Sequence, residues 1–149
     1  WMGEQVCKLY FQLYDLESIV LRYFNVYGPR EPVKGRYAPV VGLFKRKAKE
    51  GGFMTIVGDG HQRRDFTYID DIVEANICAM NSKIEHNIYN VGTGKNYSIM
   101  EVANMIGGKK AYLDERPAEV RQTLADISET IKDLGWEPKY SLEEKINEY

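Results

Sequence analysis

Residues 18–25 read SIVLRYFN, an apolar, β-branched and aromatic run with almost no polar alternation. A strand wetted on one face alternates polar and apolar side chains; a strand covered on both faces, as in a parallel sheet, does not. The run therefore predicts a strand buried on both faces of a largely parallel sheet. Parallel strands are joined by crossovers, usually helices, and helical spacing stands on both sides of this one. Upstream, Val6, Leu9, Tyr10 and Leu13 fall at i, i+3, i+4 and i+7, which predicts one buried helix face ending near Tyr14. Downstream, VYGPREPVKG (residues 26–35) is punctuated by Gly and Pro as a loop.

Beyond that loop, Val40, Leu43, Phe44 and Ala48 resume helical spacing, and Lys45, Arg46, Lys47 and Lys49 read as the solvated face of the same helix. MTIVG (54–58) and DFTYI (65–69) read as short strands around a Gly58-Asp59-Gly60 turn. Four later helices are expected from a side-chain cap followed three residues on by an acid: Asp71 with Glu74, Ser98 with Glu101, Asp126 with Glu129, and Ser141 with Glu144. Their apolar spacings predict buried faces at Val73/Ile77/Met80, Ile99/Val102/Ala103/Ile106 and Ile127/Ile131/Leu134. NIYNVG (87–92) and KAYL (110–113) read as further strands, so strands alternate with helices and the class is α/β.

With 149 residues, 44% of them hydrophobic, the chain can build a core of its own. The formal net charge of −2 gives no global field for nucleic acid, so an anion site must be a local group of arginines. Cys7 and Cys78 lie far apart without Cys or His at ligand spacing, and read as reduced core thiols and not as a disulfide or metal site. His61 and His86 are isolated and read as surface or satisfied-core residues. No apolar run reaches the ~18 residues of a membrane span and no signal pattern is present, so the default location is the cytoplasm. The chain opens on Trp1 and enters a helix pattern without a cap, as a segment of a longer protein would.

Four blocks carry a family resemblance: LRYFNVYGPR (21–30), GDGHQRRDFTYIDDIVEAN (58–76), YNVGTG (89–94) and RPAEVRQTLADIS (116–128). Together, and in this order, they resemble the extended short-chain dehydrogenase/reductase superfamily, and within it the NAD-dependent sugar-nucleotide epimerases of the UDP-glucose 4-epimerase type. The resemblance covers essentially the whole chain. It implies the last strands of an extended Rossmann-type sheet, from residues 1–30 and about 86–92, plus a small C-terminal substrate-binding α/β region from about 31–85 and 93–149. It also implies what should precede Trp1: an NAD-binding half with a glycine-rich phosphate loop, and a Tyr-x-x-x-Lys pair whose tyrosine acts as base on the sugar hydroxyl while NAD takes the hydride. No tyrosine here is followed four residues on by a lysine, so no catalytic residue is expected and the chain alone should be inactive.

For the residues present, the resemblance implies a UDP-sugar site. Arg64 takes the position of a phosphate-contacting arginine, suited by its planar fork to a diphosphate; the alternative is a hairpin salt bridge to Asp59 or Asp65, with Arg63 solvated or paired. Arg116 and Glu119 resemble a second cluster, contacting phosphate and ribose, against the alternative of a surface i, i+3 ion pair. Asn25, at the carboxyl end of the strand, would contact the sugar nucleotide. Tyr23 and Phe24 would lie near the nicotinamide and sugar ring, or pack in the core. Thr55 and Val57 would flank the uracil, again with core packing as the alternative. Gly92 and Gly94 are expected at tight turns, and Asp71 as a helix cap.

The function implied is the sugar-nucleotide-binding portion of a UDP-hexose 4-epimerase, an isomerase of carbohydrate metabolism that would act as a homodimer. The alternatives are a stand-alone nucleotide-sugar binding module, or part of a sugar-nucleotide 4,6-dehydratase or decarboxylase. The YFN triplet and GRYAPVV (35–41) favour the epimerase.

Overall fold

The structure, a computed structural model of the chain, describes residues 1–35 and 38–149. Strand β1 (Ser18–Tyr23) pairs in parallel with β6 (His86–Val91), register Ser18 to His86 through Tyr23 to Val91. The alternation of its side chains decides what covers it. Ser18 and Arg22 face helix α1 (Met2–Tyr14), where Arg22 donates to both carboxylate oxygens of Glu4 at 2.6 and 2.7 Å and the Phe11 ring stacks on His86. Ile19 and Leu21 point the other way, into a core with Ile72, Ala75 and Ala79 of α3 (Ile69–Asn81) and Leu134 of α5 (Ser128–Leu134). Helices thus cover both faces, as the run predicted. The strand is nonetheless only half-buried, because among the described residues β6 is its one partner and the opposite edge is open.

Two predicted helix faces are also corrected. The Val6/Leu9/Leu13 stripe of α1 is 53, 48 and 61% exposed, and the side that packs is Glu4, Cys7 and Phe11. In α3, Val73, Ile77 and Met80 are exposed and Ile72, Ala75 and Ala79 are buried. Both stripes have the right period but look away from the core these residues build. Cys7 and Cys78 are free and half-buried, not core thiols.

A second core lies under the remaining elements. Strand β2 (Val26–Tyr27) pairs in parallel with β5 (Thr67–Tyr68), and β3 (Phe53–Val57) with β8 (Lys109–Leu113). The antiparallel pair is β4 (Arg63–Asp65) with β7 (Asn96–Ser98). Three parallel pairs and interleaved helices make the predicted α/β class. Helices α2 (Val40–Lys49), α4 (Ile99–Ile106) and α6 (Leu142–Lys145) close this core with Val41, Phe44, Val102, Ala103 and Leu142. The hairpin expected around Gly58-Asp59-Gly60 does not form: β3 and β4 leave the turn for different partners.

Two of the four expected capping boxes are present, Ser98 with Glu101 and Ser141 with Glu144. Asp126 instead makes an Asx turn onto Ser128 at 3.0 Å. Asp71 lies inside the first turn of α3, not at its cap. It is 1% exposed, and its carboxylate accepts the Lys139 and Tyr140 amides at 2.9 and 3.2 Å, pinning a segment far along the chain. Burial pushes its carboxyl above the ordinary range even so, since two amides return less than the lost water. No helix among the described residues is long and apolar enough to cross a membrane.

Candidate functional site

Strand β3 sorts its side chains by period two. Met54 and Ile56 are fully buried, while Thr55 and Val57 stand on the other face. Core packing is therefore assigned to the first pair, and the second pair faces a cavity of ≈ 330 Å³. Across it, β4 presents Arg64, and Gln62 joins it from just ahead of the strand. The loop after β8 brings Arg116 and Glu119, and Asn25 enters from the end of β1. All six residues for which the resemblance implies substrate contacts, Asn25, Thr55, Val57, Arg64, Arg116 and Glu119, thus line one cavity although they span 95 positions from Asn25 to Glu119. Phe44 and Ile99 supply apolar wall.

The two arginines of the 58–76 block separate here. Arg63 is spent on structure: its Nε donates to Asn96 Oδ1 at 2.8 Å, one terminal nitrogen to the Asn96 carbonyl at 2.7 Å, and another pairs with Glu101 at 3.0 Å. Arg64 turns to the cavity, where Nη1 donates to the Arg63 carbonyl at 2.8 Å and Nη2 lies 3.6 Å from Glu119 Oε1. Neither hairpin alternative is realised. Asp59 holds Arg121 through two bonds of 3.0 and 2.9 Å. Asp65, fully buried, accepts Thr93 N and Oγ1, Gly94 N and Ala125 N. Arg116 and Glu119 do not form an i, i+3 ion pair; Glu119 N donates to the Arg116 carbonyl at 3.4 Å and its carboxylate meets Arg64.

The loop that carries Arg116 and Glu119 is held at several points. Arg63 N donates to the Arg121 carbonyl at 2.8 Å and Thr123 N to the Arg63 carbonyl at 3.1 Å, so residues 121–123 run along β4. The Arg121 guanidinium, with help from the His61 amide, holds the Asp59 carboxyl down at about 2. Gly92 serves a close approach and not a tight turn: a Cβ there would stand 2.3 Å from Ala125 Cβ. Gly94 does occupy a left-handed turn, at φ +70°.

Tyr23 is not part of this cavity. It is 48% exposed at the end of β1, beside the open edge, and donates to Asn76 Oδ1 at 2.9 Å. Phe24 is half-buried, with its amide on the Val91 carbonyl at 3.0 Å. Sequence reasoning missed Gln62, which is 4% exposed, lines the cavity and donates from Nε2 to the Val57 carbonyl at 3.0 Å. It stands just ahead of β4, between the two strands expected from the sequence, so no local signal marks it. The Asp59–Arg121 pair, 62 residues apart, had none. The GRYAPVV segment rests partly on Arg36 and Tyr37, which lie outside the described residues.

Similarity to known proteins points the same way. The chain is 42% identical over 97% of its length to the UDP-glucuronate 4-epimerase of Thermodesulfobacterium geofontis, covering 45% of that protein. It is 44% identical over 69% of its length to the UDP-N-acetyl-alpha-D-glucosaminuronate decarboxylase of Bacillus cytotoxicus, covering 32% of it. The fold superposes on the crystal structure of the Thermotoga maritima UDP-glucose 4-epimerase with UDP-glucose at a TM-score of 0.92 and 34% identity, over 97% of this chain and 48% of that one. The chain thus spans no more than about half the length of these relatives. Residues 1–92, which contain β1, its partner β6 and the Arg64 strand, match the NAD dependent epimerase/dehydratase family, and the chain belongs to that family.

Proposed function

We propose that this chain is the sugar-nucleotide-binding portion of an NAD-dependent epimerase that interconverts UDP-hexoses at the 4-position. The observation that carries the reading is the convergence of Asn25, Thr55, Val57, Arg64, Arg116 and Glu119 on one cavity. Arg64 and Arg116 would neutralise the diphosphate, each able to give two charge-assisted hydrogen bonds. Glu119 would accept ribose hydroxyls, Thr55 and Val57 would flank the uracil, and the Asn25 amide would hold the sugar side. On this reading residues 1–30 and 86–92 belong to the Rossmann sheet and residues 31–85 and 93–149 to the substrate region.

On this reading NAD belongs to the complete enzyme, and most of its site would lie outside these residues. Of a dinucleotide's contacts the chain offers Tyr23, exposed and bonded to Asn76, and these 149 residues hold no glycine-rich loop between a strand and a helix. No chemical step is assigned to them. The similarity to a decarboxylase supports a second reading in which the same cavity serves a UDP-uronic acid. Calorimetric titration with UDP tests what both share. Binding should be seen, and Arg64→Ala should weaken it by about 1.5–3 kcal/mol, the scale of a charged hydrogen bond. Unchanged affinity would make Arg64 a structural residue and remove the reading.

A further inference from the structure

Helix α2 separates two cavities. Val40, Leu43 and Phe44 face the one described above. Gly42, Lys45, Arg46 and Lys49, spaced i, i+3, i+4 and i+7, form the opposite stripe and line a larger cavity of ≈ 590 Å³. Residues of the Gly28–Val33 segment, with Ala48, Ile106, Asn147 and Tyr149, complete its wall, and none of the six substrate-site residues touches it. The basic residues of α2 are therefore not simply a solvated face: Lys45, Arg46 and Lys47 are half-buried.

The charges in this second cavity do not balance. Arg30, Lys45, Arg46 and Lys49 line it against one acid, Glu31, in a chain whose net charge is −2. Glu31 is itself constrained. Its carboxyl lies against Gly42, where a Cβ would come within 2.8 Å of it, and Tyr149 Oη donates to Oε1 at 2.7 Å. Burial raises its pKa, which weakens it further as a counter-charge. Lys45 sits over the Tyr149 ring, 3.2 Å from its centroid, and donates to the Tyr149 carbonyl. Arg46 reaches Glu50 at 3.7 Å, and its Nε and Glu31 Oε2 are both buried without a hydrogen-bond partner among the described residues. Neither atom is open to the cavity, so an incoming anion would meet the exposed part of Arg46, 23% of its side chain, together with Lys49 and Arg30.

We propose that this cavity binds a small organic phosphate monoester, its oxyanion met by Arg46, Lys49 and Arg30 and its apolar body by Val33, Ala48 and Ile106. Guanidinium and ammonium donors suit a multiply charged oxyanion, and the volume is that of a small-molecule pocket. The site is independent of the UDP-sugar reading, since it shares no residue with that cavity.

The test is titration of the full chain with phenyl phosphate, followed by ¹⁵N–¹H shifts, with inorganic phosphate and benzoate as parallel probes. Expected are saturable shifts at Gly42, Ala48 and Ile106, with phenyl phosphate binding tighter than either fragment of its chemistry. The Arg46→Gln/Lys49→Gln variant should weaken it about tenfold or more, the loss of one or more charged hydrogen bonds. Lys49→Gln alone, at an exposed position that leaves the fold intact, should weaken it severalfold. Arg64→Ala should leave it unchanged. Non-saturating shifts, indifference to Lys49→Gln, or loss on Arg64→Ala would each overturn the proposal, as would tighter binding of benzoate.

Discussion

Arg64 Nη2 stands 3.6 Å from Glu119 Oε1, so the cation assigned to a diphosphate is met in the free chain by a carboxylate from its own loop. The two side chains are 17 and 29% exposed, and a pair that solvent partly screens contributes no more than about 1 kcal/mol. A ligand can displace it. The roles proposed for the pair then predict opposite effects for Glu119→Gln on two ligands. Inorganic diphosphate, which has no ribose, should bind about 2–5 times tighter, because a competitor for Arg64 is removed. UDP should bind more weakly, because the charged acceptor for its ribose hydroxyls is lost. Calorimetry on both ligands decides, and a shift of the same sign for both would refute the assignment of Glu119 to the ribose.

The loop carrying Arg116 and Glu119 should be tied to pH through Asp59. Hydrogen bonds from Arg121, and then from the His61 amide, hold the Asp59 carboxyl at about 2 against an ordinary value of 3.8. A depressed acid contributes stability that is fully present above the ordinary value and is lost as pH falls through the folded one. The window is therefore about pH 3.8 down to about 2, and the pair is unaffected at neutral pH. Carbon-detected titration of the Asp59 carboxyl should show the low midpoint, and Arg121→Gln should return it toward 3.8. A midpoint that ignores that substitution would mean the Arg121 contact is not made in solution.

Spacing carries the fold, and motif order picks out six residues that line one cavity, but both fail where partners are remote. Residues 18–25 read correctly as a parallel strand because its lack of alternation is local information. The α1 and α3 stripes had the correct period but the wrong side, since period gives a face and not what covers it. Asp71 reads as a cap because Glu74 follows it, yet its partners are the Lys139 and Tyr140 amides. The hairpin failed for the same reason: β8 and β7, not β3 and β4, satisfy the strands on either side of Gly58-Asp59-Gly60. Within the site, Arg64 was separable from Arg63 by position in the motif, whereas the Glu119 contact and the Asp59–Arg121 clasp depend on how a distant loop returns.

Gly92 links the Asp65 hub to that loop by having no side chain. A Cβ would lie 2.3 Å from Ala125 Cβ and 3.0 Å from Asp65 Oδ2, so Gly92→Ala must push residue 125 off the carboxylate that accepts its amide. The expected cost is about 1–3 kcal/mol of overpacking, read from denaturant melts. Hydrogen exchange at Ala125 should quicken with it. Gly3→Ala is the control, a first-turn α1 position with nothing within 4 Å, where the change should leave stability within about 0.5 kcal/mol. Equal effects at the two positions would show that the Gly92–Ala125 approach is looser in solution.

The open edge of β1 predicts self-association. On the side away from β6 its backbone groups have no partner among the described residues, and an unpaired edge is a template for another chain. Beside it runs a groove lined by Ile19, Leu21, Asn76 and Met80. The outward stripes of α1 and α3, including Leu13 at 61% exposure and Ile77 at 42%, add apolar surface that burial would favour by roughly 25 cal/mol per Å². Sedimentation velocity should therefore show association that grows with concentration. Leu13→Glu/Ile77→Glu places a charge on each stripe without touching either core, so it should shift the chain toward monomer at unchanged far-ultraviolet dichroism. A parent chain that stays monomeric across the concentration range would mean that the open edge and the two stripes do not drive association.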